Sequence, residues 1–432
     1  MRIRNFLASL TTLILLVCTS AVYAQSIAIV GGTVHTVGPQ GTIENATIVI
    51  EDGRFVSIAP GAAAPAGATT IDASGKIITP GLFTPVGSLG LVEVGFSAGP
   101  LDMLQRGDQF AASFDIADAY NPRSTLIAVS RIEGVTRAII TPSAGFPDEA
   151  GNSGRVLHGL AAMVNLGGGD DSLEQRAIAM MVSLGQGGSG LAGGSRAGAV
   201  LTLRAALDEA LSYRAEKGEL EDYNLSLSDL EALQGVLSGD VPLFVDVDRA
   251  SDISVLINLV SEYGIRAIIS GGSEAWMVAD DLAAADIPVV LAPQDILPGN
   301  FDRINARRES AAMLAEAGVT IVFADGQSQT HNARNITQSA GNAVANGLSQ
   351  DAALRAITLA PAEVFGVADR VGSIEVGKEA DVVIWPADPL ELTSYPEQVY
   401  IKGNAVEMTS RQTLLRDRYL QTDSDKPPAY RR

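Results

Sequence analysis

The chain has 432 residues, of which 47% are hydrophobic and only 5% aromatic, and its formal net charge is −20 at pH 7. So acidic a surface repels nucleic acid and anionic lipid, which argues against both as partners. The length exceeds what a single core usually needs, and no apolar stretch after the first 24 residues is long enough to span a bilayer.

The first 24 residues predict a secretory signal peptide. Two arginines precede an apolar run at residues 6–17, and small residues surround a cleavage point after Ala24. Cys18 offers a lipoprotein alternative, which the bulky Val17 before it disfavours. Cys18 is the chain's single cysteine, so the cleaved chain would have no disulfide. We therefore expect a large periplasmic protein that is held together by its core.

Short strands and turns alternate along the next part of the chain. β-Branched runs lie between Asp-Gly and Gly-Pro turns, which is typical of a small antiparallel sheet. The predicted strands are residues 27–30, 33–37, 46–50 and 54–58, and one predicted turn is at 51–53.

The middle of the chain alternates short apolar runs with amphipathic segments. Apolar residues at three- and four-residue spacing predict helices at 200–214, 253–263 and 309–317. Strands that alternate with such helices indicate parallel βα units, and their number favours a closed (β/α)8 barrel, which we assign to residues 81–365. The predicted strands of this barrel include residues 138–140, 178–182, 243–245, 267–269, 288–291 and 320–323.

The last part of the chain returns to sheet. We expect it to complete the N-terminal sheet, so that residues 25–80 and 366–421 form one composite β-sandwich domain beside the barrel. Residues 422–432, with their Asp-Ser-Asp and Pro-Pro sequences, are predicted to be a loose tail. The predicted C-terminal β segments are residues 372–378, 380–385 and 399–403.

Four motifs carry a family resemblance. Residues 77–82 read Ile-Ile-Thr-Pro-Gly-Leu and residues 134–136 read Gly-Val-Thr, each just before a barrel strand. Residues 363–366 read Glu-Val-Phe-Gly, and the run 372–383 ends in Gly-Lys-Glu-Ala-Asp-Val-Val. With these motifs the chain resembles the amidohydrolase superfamily, in particular its imidazolonepropionase-like and secreted dipeptidase-like branches. The resemblance implies an α/β fold, a TIM-like barrel with a composite β domain, and hydrolysis of carbon–nitrogen bonds.

The resemblance also implies a metal site at the C-terminal mouth of the barrel. The family binds one or two divalent metals through His-x-His on the first strand, histidines on the fifth and sixth strands and Asp on the eighth, and the metal activates a water. Here the His-x-His pair falls on Val86 and Ser88. The other two histidines fall on Asp246 and Gly271, and only Asp325 keeps the expected residue type. No lysine lies in a predicted barrel strand, so we interpret the site as a degenerate one without histidine ligands or a carboxylated lysine.

Acidic residues at the predicted strand ends are the candidates for catalysis and binding. Asp325 is the candidate catalytic residue, because the family's eighth-strand Asp moves protons between water and the leaving nitrogen. Asp246 and Glu274 are candidates for contacting the substrate. With Asp248 and Glu93 they could instead form an all-oxygen cluster for a divalent cation, for which Asp246 and Asp325 are the candidate ligands. The alternative is a solvated acidic surface.

The three histidines are weaker candidates. His331 lies on the loop after the last predicted strand, where it could act as a general base or be an ordinary solvated residue. His35 belongs to the small sheet, where we expect a structural role. His158 has no evident acid or nucleophile partner in the sequence.

Three functions remain open from sequence. The first is an amidohydrolase-type hydrolase that acts on small amides, cyclic amides, or N-acyl and dipeptide substrates. The second is a catalytically inactive pseudoenzyme that serves as the partner subunit of a histidine-complete amidohydrolase in a hetero-oligomer; a homo-oligomer is a separate possibility. The third is a periplasmic binding protein that keeps the mouth as a ligand pocket. Hydrolase is the best single interpretation by descent, and the only cofactor we expect is a divalent cation with oxygen ligands.

Overall fold

The structure is a computed structural model that describes residues 26–93, 101–106, 111–146, 154–215, 223–294, 297–325 and 330–420. The predicted signal peptide and tail lie outside these residues. The strands are β1 (Ile27–His35), β2 (Thr42–Glu51), β3 (Arg54–Pro60), β4 (Thr69–Asp72), β5 (Ile77–Pro80), β6 (Leu82–Thr84), β7 (Leu104–Arg106), β8 (Val135–Ile140), β9 (Ser143–Phe146), β10 (Leu157–Asn165), β11 (Leu173–Ser183), β12 (Leu243–Val247), β13 (Ala267–Gly271), β14 (Val289–Leu291), β15 (Ile321–Phe323), β16 (Val382–Trp385), β17 (Gln398–Ile401) and β18 (Asn404–Ala405).

Helices lie mainly between and after the barrel strands. Within the described ranges, no helix combines the length and the apolar character that crossing a bilayer needs. The α-helices are α1 (Thr125–Arg131), α2 (Gly185–Leu191), α3 (Arg196–Ala215), α4 (Leu227–Leu237), α5 (Ala250–Tyr263), α6 (Ala279–Ala284), α7 (Ser310–Glu316), α8 (Ile336–Ala345), α9 (Gln350–Ala356), α10 (Leu359–Val364) and α11 (Arg411–Leu420).

One sheet joins the two ends of the chain. Strands β1–β5 and β16–β18 form it, in the order β18-β17-β16-β5-β1-β2-β3, with β4 also paired to β1. Its core is aliphatic and includes Ile29 and Ile48 from the N-terminal part with Val382 from the C-terminal part. The prediction of a composite β domain built from both chain ends is therefore confirmed, whereas its predicted boundaries stay a prediction.

Two details of this sheet differ from the prediction. The two strands expected at 27–30 and 33–37 are one strand, β1, because Gly31 adopts φ +86 and makes a local irregularity rather than a break. The β segment expected at 372–378 is not a strand. Gly372 and Gly377 both have positive φ there, so the backbone turns instead of extending.

The second large sheet is a nearly closed barrel of eight strands, in the order β15-β14-β13-β12-β11-β10-β8-β6. The barrel confirms the predicted fold class. Its wall is not uniformly parallel, because β10 runs antiparallel to both β8 and β11. The start of β10, not its end, therefore lies at the same edge as the carboxyl ends of the other strands. That edge is the mouth of the barrel.

Part of the inside of the barrel is apolar. Phe83 and Phe244 point inward from β6 and β12, and both rings contact Phe365, which follows α10. The ring centroids lie 6.4 Å apart for Phe83 and 5.8 Å apart for Phe244. The apolar interior leaves the mouth, where active sites of such barrels lie, as the place to look for reactive side chains.

A buried ion cluster connects the barrel with the β domain. Arg137 on β8 is only 1% exposed and pairs with Glu174 on β11 and with Glu379 and Asp381 of the β domain. Lys402 adds a second cation, 2.7 Å from Glu174. Burial alone would raise the pKa of Glu174, but Arg137 and Lys402 hold that pKa below its usual value. Glu174 therefore stays ionised, and the ion pairs of Arg137 join the barrel to the β domain.

Candidate active site at the barrel mouth

Asp246 faces the mouth from the carboxyl end of β12. Side chains alternate along a strand, so Asp246 shares the inward side with Phe244 two residues earlier. It is paired in register with Ser183 of β11, and its carboxylate is accessible to solvent within the mouth. Loss of solvation and repulsion from Asp248 raise the pKa of Asp246 to about 6, although Arg303 opposes the rise. This carboxylate is thus accessible and titrates close to neutral pH.

Asp325 lies just after β15, at the same end of the barrel. Its side chain is only 8% exposed, and its Oδ2 has no hydrogen-bond partner among the residues that the structure describes. Burial raises the pKa of Asp325 to about 7. A buried carboxyl group that is about half protonated at neutral pH can both donate and accept a proton.

Asp248 accepts hydrogen bonds from two loops at the rim of the mouth. One of its oxygens accepts hydrogen bonds from Ser273, at 3.0 Å from the backbone nitrogen and 2.7 Å from the hydroxyl. The other accepts from Nε of Arg303 at 2.7 Å. The carboxylate therefore joins the loop after β13 to the loop after β14.

Glu274 and Glu93 are also held by neighbouring segments. Glu274 is 4% exposed and accepts hydrogen bonds from the backbone nitrogens of Ala250 and Asn305, at 3.1 and 3.2 Å. Glu93 accepts hydrogen bonds from Asn121 and from Ser124, each at 3.0 Å. The structure therefore gives both carboxylates positioning roles, and a contact of Glu274 with substrate stays a prediction.

Because β10 runs antiparallel to its neighbours, its first residues, including His158, lie at the mouth edge of the barrel. His158 is an extra residue in β10, opposite the step between Met181 and Val182 of β11. It is 6% exposed, and its Nε2 has no hydrogen-bond partner within the described part of the chain. Burial lowers the pKa of His158 to about 4, so the ring is neutral at pH 7. Because the sequence pattern does not reveal the direction of β10, it could not place this residue.

The other two histidines are placed differently. The backbone of His331 lies in a 3-10 helix, Thr330–Asn335, while its side chain lies outside the described residues, so its role stays a prediction. His35 lies in β1 and makes a 2.9 Å hydrogen bond to Thr42 on the neighbouring strand. That contact fits the structural role expected for His35.

Three of the positions where the resemblance implies metal-binding histidines hold other residues that are packed against their neighbours. Val86 packs against the apolar interior of the barrel, and Ser88 is 2% exposed. Gly271 has φ +95, and a Cβ there would lie 2.9 Å from Oδ1 of Asp248. Among the described residues, no group of three or more His, Cys, Asp or Glu side chains is arranged to hold a metal ion.

Comparisons with known proteins find amidohydrolases among the proteins to which this chain is similar. Residues 257–406 match the model of the amidohydrolase family. Amidohydrolase tasK of Hapsidospora irregularis is 27% identical over 193 residues, which cover 44% of this chain. The matched part is only 20% of the length of that curated relative.

Solved structures of similar fold cover most of the chain. An amidohydrolase from Thermotoga maritima MSB8 has a TM-score of 0.78 at 24% identity, over 88% of this chain and 99% of that one. A prolidase complexed with N-methylphosphonate-L-proline has a TM-score of 0.54 at 16% identity, over 89% of this chain and 100% of that one. At such identities the likeness shows the fold alone, which supports the eight-stranded barrel seen in this chain.

Proposed function

We propose that the chain is a member of the amidohydrolase superfamily that hydrolyses carbon–nitrogen bonds in small amides, cyclic amides, or N-acyl and dipeptide substrates. The family match over residues 257–406 and the fold likeness over 88% of the chain support this class. The observation that carries the proposal is the pair of mouth carboxyl groups, Asp246 and Asp325, whose pKa values of about 6 and about 7 lie near neutral.

Amide hydrolysis needs both a base and an acid. A base removes a proton from the attacking water, and an acid delivers a proton to the leaving nitrogen. Asp246 is accessible and mostly ionised at pH 7, which suits the base. Asp325 is buried and about half protonated at pH 7, which suits the acid. Both groups are therefore tuned to the range in which proton transfer is efficient.

The divalent metal that the fold family implies does not fit the described donors. Gly271 has no side chain and no room for one, and Val86 offers only an apolar side chain. Asp248 and Glu274 already accept hydrogen bonds from the rim loops. The proposed site is therefore a degenerate metal site in which carboxyl groups transfer the protons.

The cell compartment is part of the proposal. The apolar run at residues 6–17 and the small residues before Ala24 support export to the periplasm. A small-molecule substrate from that compartment would reach the open mouth, where Asp246 is accessible.

The test is a substrate panel assayed with matched variants. The wild-type chain is incubated with N-acyl amino acids, dipeptides, cyclic amides and simple amides, and amine release is measured. Asp246→Asn and Asp325→Asn should each reduce turnover by about 10²-fold or more. Asp281→Asn, at an exposed position in α6, should leave it unchanged. Absence of turnover on every substrate would contradict the proposal and favour the partner-subunit or ligand-binding role.

A further inference from the structure

The helix α2 follows the carboxyl end of β11 and brings several glycines to the mouth of the barrel. Glycine is among the poorest helix formers, so each of them weakens this helix. The surroundings of each position show whether the fold itself requires a glycine there. The glycines of α2 are Gly185, Gly187, Gly188 and Gly190.

Local geometry requires two of these glycines but not Gly187. Gly185 has φ +60, which residues with a side chain rarely adopt. A Cβ at Gly188 would lie 2.2 Å from the carbonyl oxygen of Ser183, which is too close for any side chain. Gly187 has no positive φ, and a Cβ there would meet no described atom nearer than 3.7 Å outside its own helix and chain neighbours. Neither strain nor collision therefore accounts for a glycine at position 187.

Position 187 lies beside the carboxylate of Asp246. A Cβ built on Gly187 would lie 3.7 Å from Oδ2 of Asp246 and 3.9 Å from Oγ of Ser183. Asp246 and Ser183 are paired in register on adjacent parallel strands, so their side chains lie on the same side of the sheet. Gly187 and Asp246 are both exposed to solvent. The missing side chain at position 187 therefore leaves one side of the Asp246 carboxylate open.

Hydrogen bonds hold α2 in place next to this carboxylate. The backbone nitrogen of Leu184 donates to the carbonyl oxygen of Asp246 at 3.0 Å. The backbone nitrogen of Gln186 donates to Oδ2 of Asp302 at 2.8 Å, and Asp302 is only 3% exposed. These contacts fix the start of the helix on two sides. A side chain introduced at position 187 would therefore stay close to Asp246.

We propose that Gly187 is a specificity-determining residue, because the space that it leaves open receives the acyl group of the substrate beside Asp246. This inference rests on the proposed function, in which Asp246 is the base, and deepens it. A carboxylate in that space would be repelled by Asp246. In N-acyl amino acids and dipeptides the free carboxylate belongs to the amine side, so the acyl side faces position 187. The size of residue 187 then limits the size of the acyl group.

Access to Asp246 is measured first, by carbodiimide-activated coupling of carboxyl groups to glycinamide on the full chain. Peptide mass spectrometry compares the coupling of Asp246 with that of the exposed Asp281 in the same sample. Gly187→Leu should lose most of the coupling at Asp246, and Gly187→Ala should lose much less. Gly190→Leu is the matched control, because a Cβ at this exposed position of the same helix meets nothing within 4 Å among the described residues.

Turnover is measured next, with N-formyl-, N-acetyl- and N-benzoyl-L-alanine as substrates. Gly187→Leu should lower kcat/KM by about tenfold or more for the benzoyl substrate and by less for the formyl substrate. Gly190→Leu should keep the wild-type order and values. All three variants replace a helical glycine by a better helix former, so their midpoints of urea unfolding should not fall below that of wild type.

Two results would overturn the role of Gly187. One is coupling at Asp246 that Gly187→Leu leaves at the wild-type rate or that Gly190→Leu slows equally. The other is a loss of kcat/KM in Gly187→Leu that is the same for all three acyl groups. The coupling does not require turnover. Protection of Asp246 in Gly187→Leu without hydrolysis in wild type would support the open space while the hydrolase proposal fails, and hydrolysis without dependence on residue 187 would do the reverse.

Discussion

Asp248 occupies the space that a side chain at position 271 would need. A Cβ built on Gly271 would lie 2.9 Å from Oδ1 of Asp248, closer than Cβ atoms approach other atoms in folded proteins. The backbone at Gly271 also has φ +95, which residues with a side chain rarely adopt. Asp248 cannot withdraw freely, because Ser273 and Arg303 hold its two oxygens. The backbone at position 271 and its neighbours therefore favour a glycine there.

Replacing Gly271 should destabilise the fold more than replacing a comparable glycine. Gly264 also has positive φ, +62, but a Cβ there would meet nothing within 4 Å. We expect Gly264→Ala to cost about 1 kcal/mol from backbone strain, and Gly271→Ala roughly 1–3 kcal/mol more from collision with Asp248. Urea unfolding of both variants measures the difference. Equal losses would mean that Asp248 moves aside at no cost.

Asp325 should make the protein less stable as pH rises. Its pKa is 3.8 in the unfolded chain and about 7 in the folded one, so the folded state binds the extra proton between those values. The protonated group makes its full contribution to the free energy of unfolding below about pH 4. That contribution is lost as pH rises to about 7, and the free energy of unfolding then falls by roughly 4 kcal/mol in total. Asp325→Asn, which cannot ionise, should therefore be more stable than wild type at about pH 8.

The measurement is urea unfolding of wild type and Asp325→Asn at about pH 4.5 and pH 8, with Asp281→Asn as the matched control. The gap between wild type and Asp325→Asn should widen with pH, whereas Asp281→Asn should follow wild type. A constant gap would contradict a buried Asp325 whose Oδ2 has no hydrogen-bond partner within the described residues.

His158 should make the protein less stable as pH falls, the opposite of the effect of Asp325. Its pKa is 6.5 in the unfolded chain and about 4 in the folded one, so the unfolded state binds the extra proton between those values. The neutral ring makes its full contribution to the free energy of unfolding above about pH 6.5. The free energy of unfolding then falls by roughly 3 kcal/mol as pH drops to about 4. His158→Gln should remove this loss on acidification, whereas His35→Gln, in the half-exposed pair with Thr42, should not. Urea unfolding at about pH 5 and pH 7.5 distinguishes the two variants.

The sequence predicted much of the fold and little of the site. Turn residues and β-branched runs predicted the composite sheet, including the Asp52-Gly53 turn, where both residues have positive φ. The barrel followed from alternating strands and helices. The antiparallel direction of β10 depends on tertiary pairing, which local periodicity does not encode, so His158 was not expected at the mouth. Partners of Asp248 and Glu274 lie 24 to 55 residues away, and no local pattern reveals such contacts.

Breaking the buried ion cluster should be strongly destabilising. Arg137 is 1% exposed, and its removal leaves Glu174, Glu379 and Asp381 without their shared cation. We expect Arg137→Met to cost about 3–5 kcal/mol, because an uncompensated buried charge is poorly solvated. Arg204→Met, which removes an exposed pair with Glu262, should cost less than about 1 kcal/mol. Similar losses in thermal or urea unfolding would contradict the role of the cluster in joining the two domains.

The most direct test of the account is amide hydrolysis by one purified sample before and after chelation, with bound metal quantified by elemental mass spectrometry and Asp325→Asn assayed beside it. The account predicts that turnover persists when bound metal falls to trace levels. It also predicts that turnover is lost in Asp325→Asn, because the carboxyl groups of the mouth transfer the protons. Turnover that disappears with a stoichiometric metal and returns when that metal is restored would contradict it.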